Sequence, residues 1–156
     1  MESTMNKPAW SKVAEVELVY KTTVKASERP LIKSSKDAYD TFLQVWDESK
    51  LELLEEFKVL LLNQANRVIG VFEASSGGIT GTVADPRLIL AAAIKGLAVA
   101  VILGHNHPSS SLKPSRADEE LTAKIREVAK YHDIKVLDHL IVTAEGYYSF
   151  ADEGLL

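Results

Sequence analysis

From Ala14 the chain alternates between apolar and polar positions. Ala14, Val16, Leu18, Tyr20 and Thr22 fall on one side, with Glu15, Glu17 and Lys21 on the other, the period-two pattern of a half-exposed strand. Glu28-Arg29-Pro30 breaks it. The spacing then turns helical: Ala38, Tyr39, Phe42, Leu43 and Trp46 recur at i, i+3, i+4 behind Ser34 or Ser35 as a cap. FKVLLLN (Phe57–Asn63) predicts a central strand, and Asn63-Gln64-Ala65-Asn66 a turn into a second strand, RVIGVFEAS. SSGGITGTVADP, which holds three of the eight glycines, predicts a loop with a short strand at most.

Asp85-Pro86 starts a helix, Asp as cap and Pro at the first helical position. That helix, LILAAAIKG, is apolar almost all round, so it is expected to be buried, with Gly96 ending it. LAVAVILG follows without a charge and predicts a strand covered on both faces. After a polar loop, Ser115 caps a helix to about Tyr131 whose expected buried stripe is Leu121, Ile125, Val128 and Ala129. IKVLDHLIVT and YYSFAD then form a hairpin closed by Glu145-Gly146. The expected fold class is α/β with α+β character, a central mixed sheet with helices packed against it.

Composition narrows the function. At 156 residues and 46% apolar content, the chain fits one domain with a buried core. A net charge of −4 and a pI near 5.6 argue against a broad nucleic-acid footprint. No apolar run approaches the roughly 18 residues of a membrane span, and the start, MESTMNKPAWSK, has no hydrophobic core of a signal peptide. With no cysteine there are no disulfides, thiolate zinc sites or cysteine nucleophiles, which suits a cytoplasmic location.

The chemistry concentrates in GHNHPSSSLKPSRAD, Gly104–Asp118. His105 and His107 flank Asn106 where an uncharged strand ends. In extended chain i and i+2 share a side, so both imidazoles can aim at one point while Asn106 is a spacer turned away. Asp118 stands near the start of the next helix, within reach of the strand end. Two imidazoles and a carboxylate suit zinc, and three protein ligands leave a fourth position for water, the catalytic pattern. The plain alternative is a polar loop that happens to hold two histidines. Against it stands the place of the pair, at the C-terminal end of a buried strand, where open α/β sheets put their sites.

His105-x-His107-Pro108, six residues, then Ser115-x-x-Asp118 resembles the JAMM metallopeptidase motif of the JAB/MPN domains. The RadC-like branch is closer still, through HNHPS, LKPS-x-x-D, the DPR helix start and DHLIV. The resemblance covers roughly residues 31–156 and leaves 1–30 as an N-terminal extension with one strand. It implies a central mixed sheet flanked by helices, in a cytidine-deaminase-like arrangement. One position departs: the branch has Gly after Ser109, and here Ser110 stands there, where Gly would allow positive φ cheaply.

The resemblance also implies a glutamate at the start of the first core strand. Its Glu-x-Phe pattern selects Glu55 with Phe57, Glu56 being the alternative. Alternation puts Glu55, Phe57 and Val59 on one face and Glu56 and Lys58 on the other. The implied enzyme is a zinc metallopeptidase acting on a peptide or isopeptide. His105, His107 and Asp118 would hold Zn2+, which brings the pKa of a water to about 7. Glu55 would serve as general base. By the resemblance, the Ser115 hydroxyl would donate to the developing oxyanion, although its position equally fits a helix cap. His139, beside Asp138, reads as a hydrogen-bonded core histidine or as a residue behind the metal ligands. His132 reads as surface or cap, and Lys113 and Arg116 as solvated charges or, alternatively, substrate contacts.

Other readings fit less well. His-Asn-His as consecutive letters is not the dispersed set of the nucleases of that name. A zinc nucleobase deaminase needs Pro-Cys-x-x-Cys, and an iron oxygenase orders its two histidines and carboxylate differently. The alternative that remains is a DNA-repair-associated or non-catalytic protein-binding module. An exposed N-terminal strand would be an unpaired edge unless it joined the sheet or a second subunit, so an oligomer is open.

Overall fold

A computed structural model describes residues 8–11, 21–77 and 84–156. The chain runs α1 (Ser35–Val45), β1 (Glu56–Leu62), β2 (Val68–Ser76), α2 (Pro86–Lys95), β3 (Ala100–Asn106), α3 (Arg116–Lys130), β4 (Lys135–Val142) and β5 (Tyr147–Ser149). Most of the expected strand over Ala14–Thr22 lies outside the described residues, as do residues 78–83 of the glycine-rich loop. Among the described residues, no helix is long and apolar enough to cross a membrane.

The five strands form one mixed sheet in the order β2-β1-β3-β4-β5. β3 and β4 pair in parallel and every other neighbouring pair is antiparallel. A parallel pair needs a crossover, which α3 supplies. β1 and β3, at the centre, are buried at every residue, so period two shows up as two separate cores. Leu60, Leu62, Ala100, Ile102, Leu140 and Val142 pack with Ala38, Tyr39 and Phe42 of α1 on one face. Phe57, Val59, Leu61, Val101 and Leu103 pack on the other with Ile89, Leu90 and Ala93 of α2 and Ile125 and Ala129 of α3. The result is a sheet between helical layers.

α1 can lie close to β3 because of Gly104. A Cβ there would stand 2.5 Å from Cζ of Phe42, well inside van der Waals contact. The residue before His105 is therefore small so that an aromatic ring of the covering helix can rest on the strand.

Three local expectations change. α2 is not buried all round: Ile89, Leu90 and Ala93 face the sheet, while Leu88 and Ile94 are 53% and 46% exposed. A single helical layer covers that face and nothing among the described residues lies outside it. Gly96 does end α2 as its C-cap, but it stays right-handed (φ −76°) and Leu97 takes the left-handed position (φ 56°). There the Ala98 amide donates to the Ala93 carbonyl at 2.9 Å, the long bond of a Schellman ending. Gly96 serves packing instead, since a Cβ would meet Leu61 Cδ1 and the Ala92 carbonyl at 3.0 Å. In α3 the buried stripe is Thr122, Ile125 and Ala129, with Val128 at the surface.

Candidate metal centre

The antiparallel register of β1 and β3 sets Phe57 opposite His105. The residues just before β1 therefore lie beside the residues that end β3. The N-terminus of α3 closes the group from a third side. His105 and His107, two apart in extended chain, bring their Nε2 atoms to 2.9 Å. Asp118 places Oδ1 3.4 Å from Nε2 of His105 and Oδ2 3.3 Å from Nε2 of His107. Glu55 Oε1 is 3.9 Å from His107 Nε2, and Glu55, His105 and His107 offer ligand atoms all within 4.8 Å of one another. All four side chains are mostly shielded, His105 most of all.

The donor set can be tested against a cation. Nδ1 of His107 is 2.8 Å from the Ser111 carbonyl oxygen. A carbonyl only accepts, so the ring proton sits on Nδ1 and neutral His107 presents a bare Nε2. Two imidazole nitrogens and two carboxylate oxygens thus converge, an arrangement rich in lone pairs and poor in protons. That is the chemistry a divalent N/O-binding ion satisfies. Without one, a proton takes its place. The hydrogen bond to Asp118 raises the His107 pKa above the ordinary imidazole value, against partial burial. Burial works to raise the Asp118 pKa, but the neighbouring histidines, His105 and His107, prevail and hold it far below the carboxylate range.

Ser115 and Asp118 form a reciprocal cap. The Ser115 hydroxyl accepts from the Asp118 amide at 3.1 Å, and Asp118 Oδ2 accepts from the Ser115 amide at 2.8 Å. The cap aims the Asp118 carboxylate across the helix N-terminus at the histidines. It uses the Ser115 hydroxyl only as an acceptor, so its proton is left to donate elsewhere.

Asn106 is more than a spacer. It is fully buried on the sheet face opposite the imidazoles. Its Nδ2 donates to the carbonyls of Leu51 and Leu54, each at 2.7 Å, and its Oδ1 accepts from the Glu56 amide at 2.7 Å. Glu56 turns to the same face, where its carboxylate lies 3.1 Å from Lys58 Nζ, with Glu73 3.3 Å from the same ammonium. The two glutamates are thus separated by strand alternation: Glu55 to the histidines, Glu56 to a buried lysine.

Behind His105 stands His139. Its Nε2 is 2.7 Å from His105 Nδ1 and its Nδ1 2.5 Å from Thr122 Oγ1. The ring is completely buried, stacked on Phe150 with centroids 4.6 Å apart. Burial, first, and the neighbouring His105 push its pKa well below the ordinary value. His139 is therefore a hydrogen-bonded core histidine that rests directly on His105. Thr122 carries no signal in the hydrophobic pattern; only its place four residues after Asp118, on the same helix face, points to it. His132, Lys113 and Arg116 take no part in the cluster, Arg116 pairing with Glu120 at 2.8 Å.

A family model described as RadC-like JAB domain matches residues 32–155. Among similar proteins, a UPF0758 protein of Flavobacterium johnsoniae is 46% identical over 124 residues, 80% of this chain and 53% of that protein. A UPF0758 protein of Porphyromonas gingivalis is 48% identical over 103 residues, 65% of this chain and 45% of that protein. One from Variovorax paradoxus is 38% identical over 144 residues, 92% and 63% of the two chains. The chain spans about half the length of the first two relatives.

Proposed function

The chain belongs to the RadC-like JAB domain family, and from that premise we propose that it is a zinc-dependent hydrolase of amide bonds, a peptidase or isopeptidase of the JAMM type. One observation carries the reading. His105 Nε2, His107 Nε2 and both Asp118 oxygens converge without protons enough to satisfy them, and a glutamate stands beside them. His105, His107 and Asp118 would hold the zinc. When bound, zinc supplies an acidified water and polarises the substrate carbonyl.

The rest is the work of the chain. Glu55 would take the water's proton on its carboxylate and return it to the leaving amine, a service worth roughly 10²–10⁴-fold in rate. Its mostly shielded carboxylate keeps bulk water from competing for that proton. The Ser115 hydroxyl, whose proton the cap leaves unused, would donate to the oxyanion as the carbonyl becomes tetrahedral. Asn106 ties the strand that bears both imidazoles to the turn that bears Glu55, so general base and ligands keep a fixed relation.

The test has two arms. Elemental analysis of the purified protein should find about one zinc per chain, lost in a His105→Ala/His107→Ala double variant; a metal-free wild type would sink the site. Cleavage of a quenched peptide and isopeptide library should vanish in Glu55→Gln while the zinc stays bound. Cleavage surviving in Glu55→Gln would remove Glu55 from the mechanism. Salt-dependent DNA binding indifferent to the ligand variants, with no cleavage, would support the DNA-associated reading instead.

A further inference from the structure

We propose that Thr122 and His139 are positioning residues that fix the tautomer of His105, so that its Nε2 is bare where the metal would bind; the inference rests on the metal-centre reading above. The argument begins on α3. The Thr122 hydroxyl donates to the Asp118 carbonyl at 2.6 Å, the back-bond to residue i−4 that threonine readily makes in a helix. A hydroxyl has one proton. Spent on Asp118, it leaves only lone pairs for His139, whose Nδ1 lies 2.5 Å away. Nδ1 of His139 must then carry the proton.

His139 is fully buried, lies between Phe57 and Phe150, with ring centroids 5.5 Å and 4.6 Å away, and neither ring nitrogen meets a carboxylate. An imidazolium there would be an unpaired buried charge, so the ring is neutral and holds one proton for two nitrogens. With that proton on Nδ1, Nε2 is an acceptor, and it faces His105 Nδ1 at 2.7 Å. His105 therefore carries its proton on Nδ1, and its Nε2 points its lone pair at Asp118 and His107.

The direction of the chain decides the outcome. Were Thr122 to donate to His139, the ring would carry its proton on Nε2 and donate to His105 Nδ1. That would force the His105 proton onto Nε2, into the centre of the cluster. The relay also closes on itself. It starts at the backbone of one candidate ligand, Asp118, and ends on the ring of another, His105. One turn of helix thereby sets the protonation of a histidine on the neighbouring strand. Metal-binding histidines usually rest their second nitrogen on a carboxylate, a carbonyl or water. Here it rests on a second neutral imidazole, whose sense is set by one hydroxyl.

Thr122→Val keeps the shape and deletes the hydroxyl; Thr122→Ser restores it. Long-range 15N–1H spectra of the metal-free full chain should show His139 and His105 as Nδ1–H tautomers. Zinc competition against a chelator should give Thr122→Val a dissociation constant about 10–100-fold weaker than wild type, with Thr122→Ser close to wild type. A wild-type His139 in the Nε2–H form would overturn the relay. So would a Thr122→Val chain, folded by its thermal midpoint, that binds zinc as the wild type does, or a Thr122→Ser chain as weak as Thr122→Val. A wild type that binds no zinc would overturn the metal-centre reading and the effect on affinity, while the tautomers alone decide the relay.

Discussion

The side-chain oxygen of Asn106 accepts the Glu56 amide proton at 2.7 Å, joining positions fifty residues apart in sequence. With its two donors on the Leu51 and Leu54 carbonyls, Asn106 satisfies three backbone groups, and those groups flank Glu55. The residue between the histidines therefore does for Glu55 what the Ser115 cap does for Asp118. Each fixes a carboxylate relative to the imidazoles, Asn106 through backbone groups on either side of Glu55 and the Ser115 amide through a bond to the Asp118 carboxylate itself.

Asn106→Ala would leave buried partners unsatisfied, at about 1–3 kcal/mol for each one that finds no water. We expect a loss of about 3 kcal/mol in urea unfolding. Zinc content should be unchanged, because His105, His107 and Asp118 are held by other bonds. Hydrolysis should fall by more than the unfolded fraction explains, because Glu55 loses its anchor. Loss of zinc in step with activity would mean that Asn106 supports the ligands instead.

Glu55 and Glu56 should separate cleanly. Glu56→Ala breaks a buried pair, and leaving a buried charge without its partner costs about 3–5 kcal/mol. The true cost should lie toward the low end, since Lys58 keeps Glu73. At temperatures where the variant is folded, it should still cleave. Glu55→Gln should do the reverse, keeping the unfolding midpoint and losing turnover.

How much of this was legible in the sequence follows from what hydrophobic patterns encode. β3 and its paired histidines were readable because period two and the absence of charge both mark a buried strand. Ser115 and Asp118 were readable as a cap because their spacing is local. The approach of Glu55 depends on a turn held by Asn106 from another strand, and no local pattern records that. Leu121 packs at the edge of the core as expected and Val128 does not, while Thr122 is missing from the expected stripe because a buried hydroxyl with both its partners looks, in sequence, like a surface one. The exposed Leu88 and Ile94 failed in the opposite direction: an apolar helix marks what could be buried, not which side has a layer to cover it.

Ser110 lies in the left-handed region, φ 62°, where its amide closes a turn on the His107 carbonyl at 2.8 Å. The conformation that glycine would favour is thus present with a serine in it, at about 1–2 kcal/mol of strain. Ser110→Gly relieves that strain and costs about 0.5–1 kcal/mol in unfolded-state freedom. A net gain of up to ~1 kcal/mol should raise the thermal midpoint by about 2–4 °C. Ser110→Pro, locked near φ −65° and lacking the amide, should lower it and loosen His107. A fall in midpoint for the glycine variant would show that the serine conformation is not strained.

Gly104 and Phe42 offer the sharpest test of how the sheet is covered. Adding a Cβ at residue 104 would put it 2.5–2.8 Å from three ring atoms of Phe42, and Phe42 is fully buried. The ring has no room to swing away, so α1 must lift off β3. Gly104→Ala should cost about 1–3 kcal/mol as an overpacked core. Phe42→Leu, alone, costs the lost packing of a ring. Together the two changes should cost less than their sum, because leucine vacates the space that the new methyl needs. The double variant should also recover zinc binding if Gly104→Ala weakens it, since β3 carries His105 on the very next residue. Additive unfolding energies in this cycle would show that the methyl is accommodated by moving β3, not α1, and zinc affinity would then track the Gly104→Ala change whatever stands at residue 42.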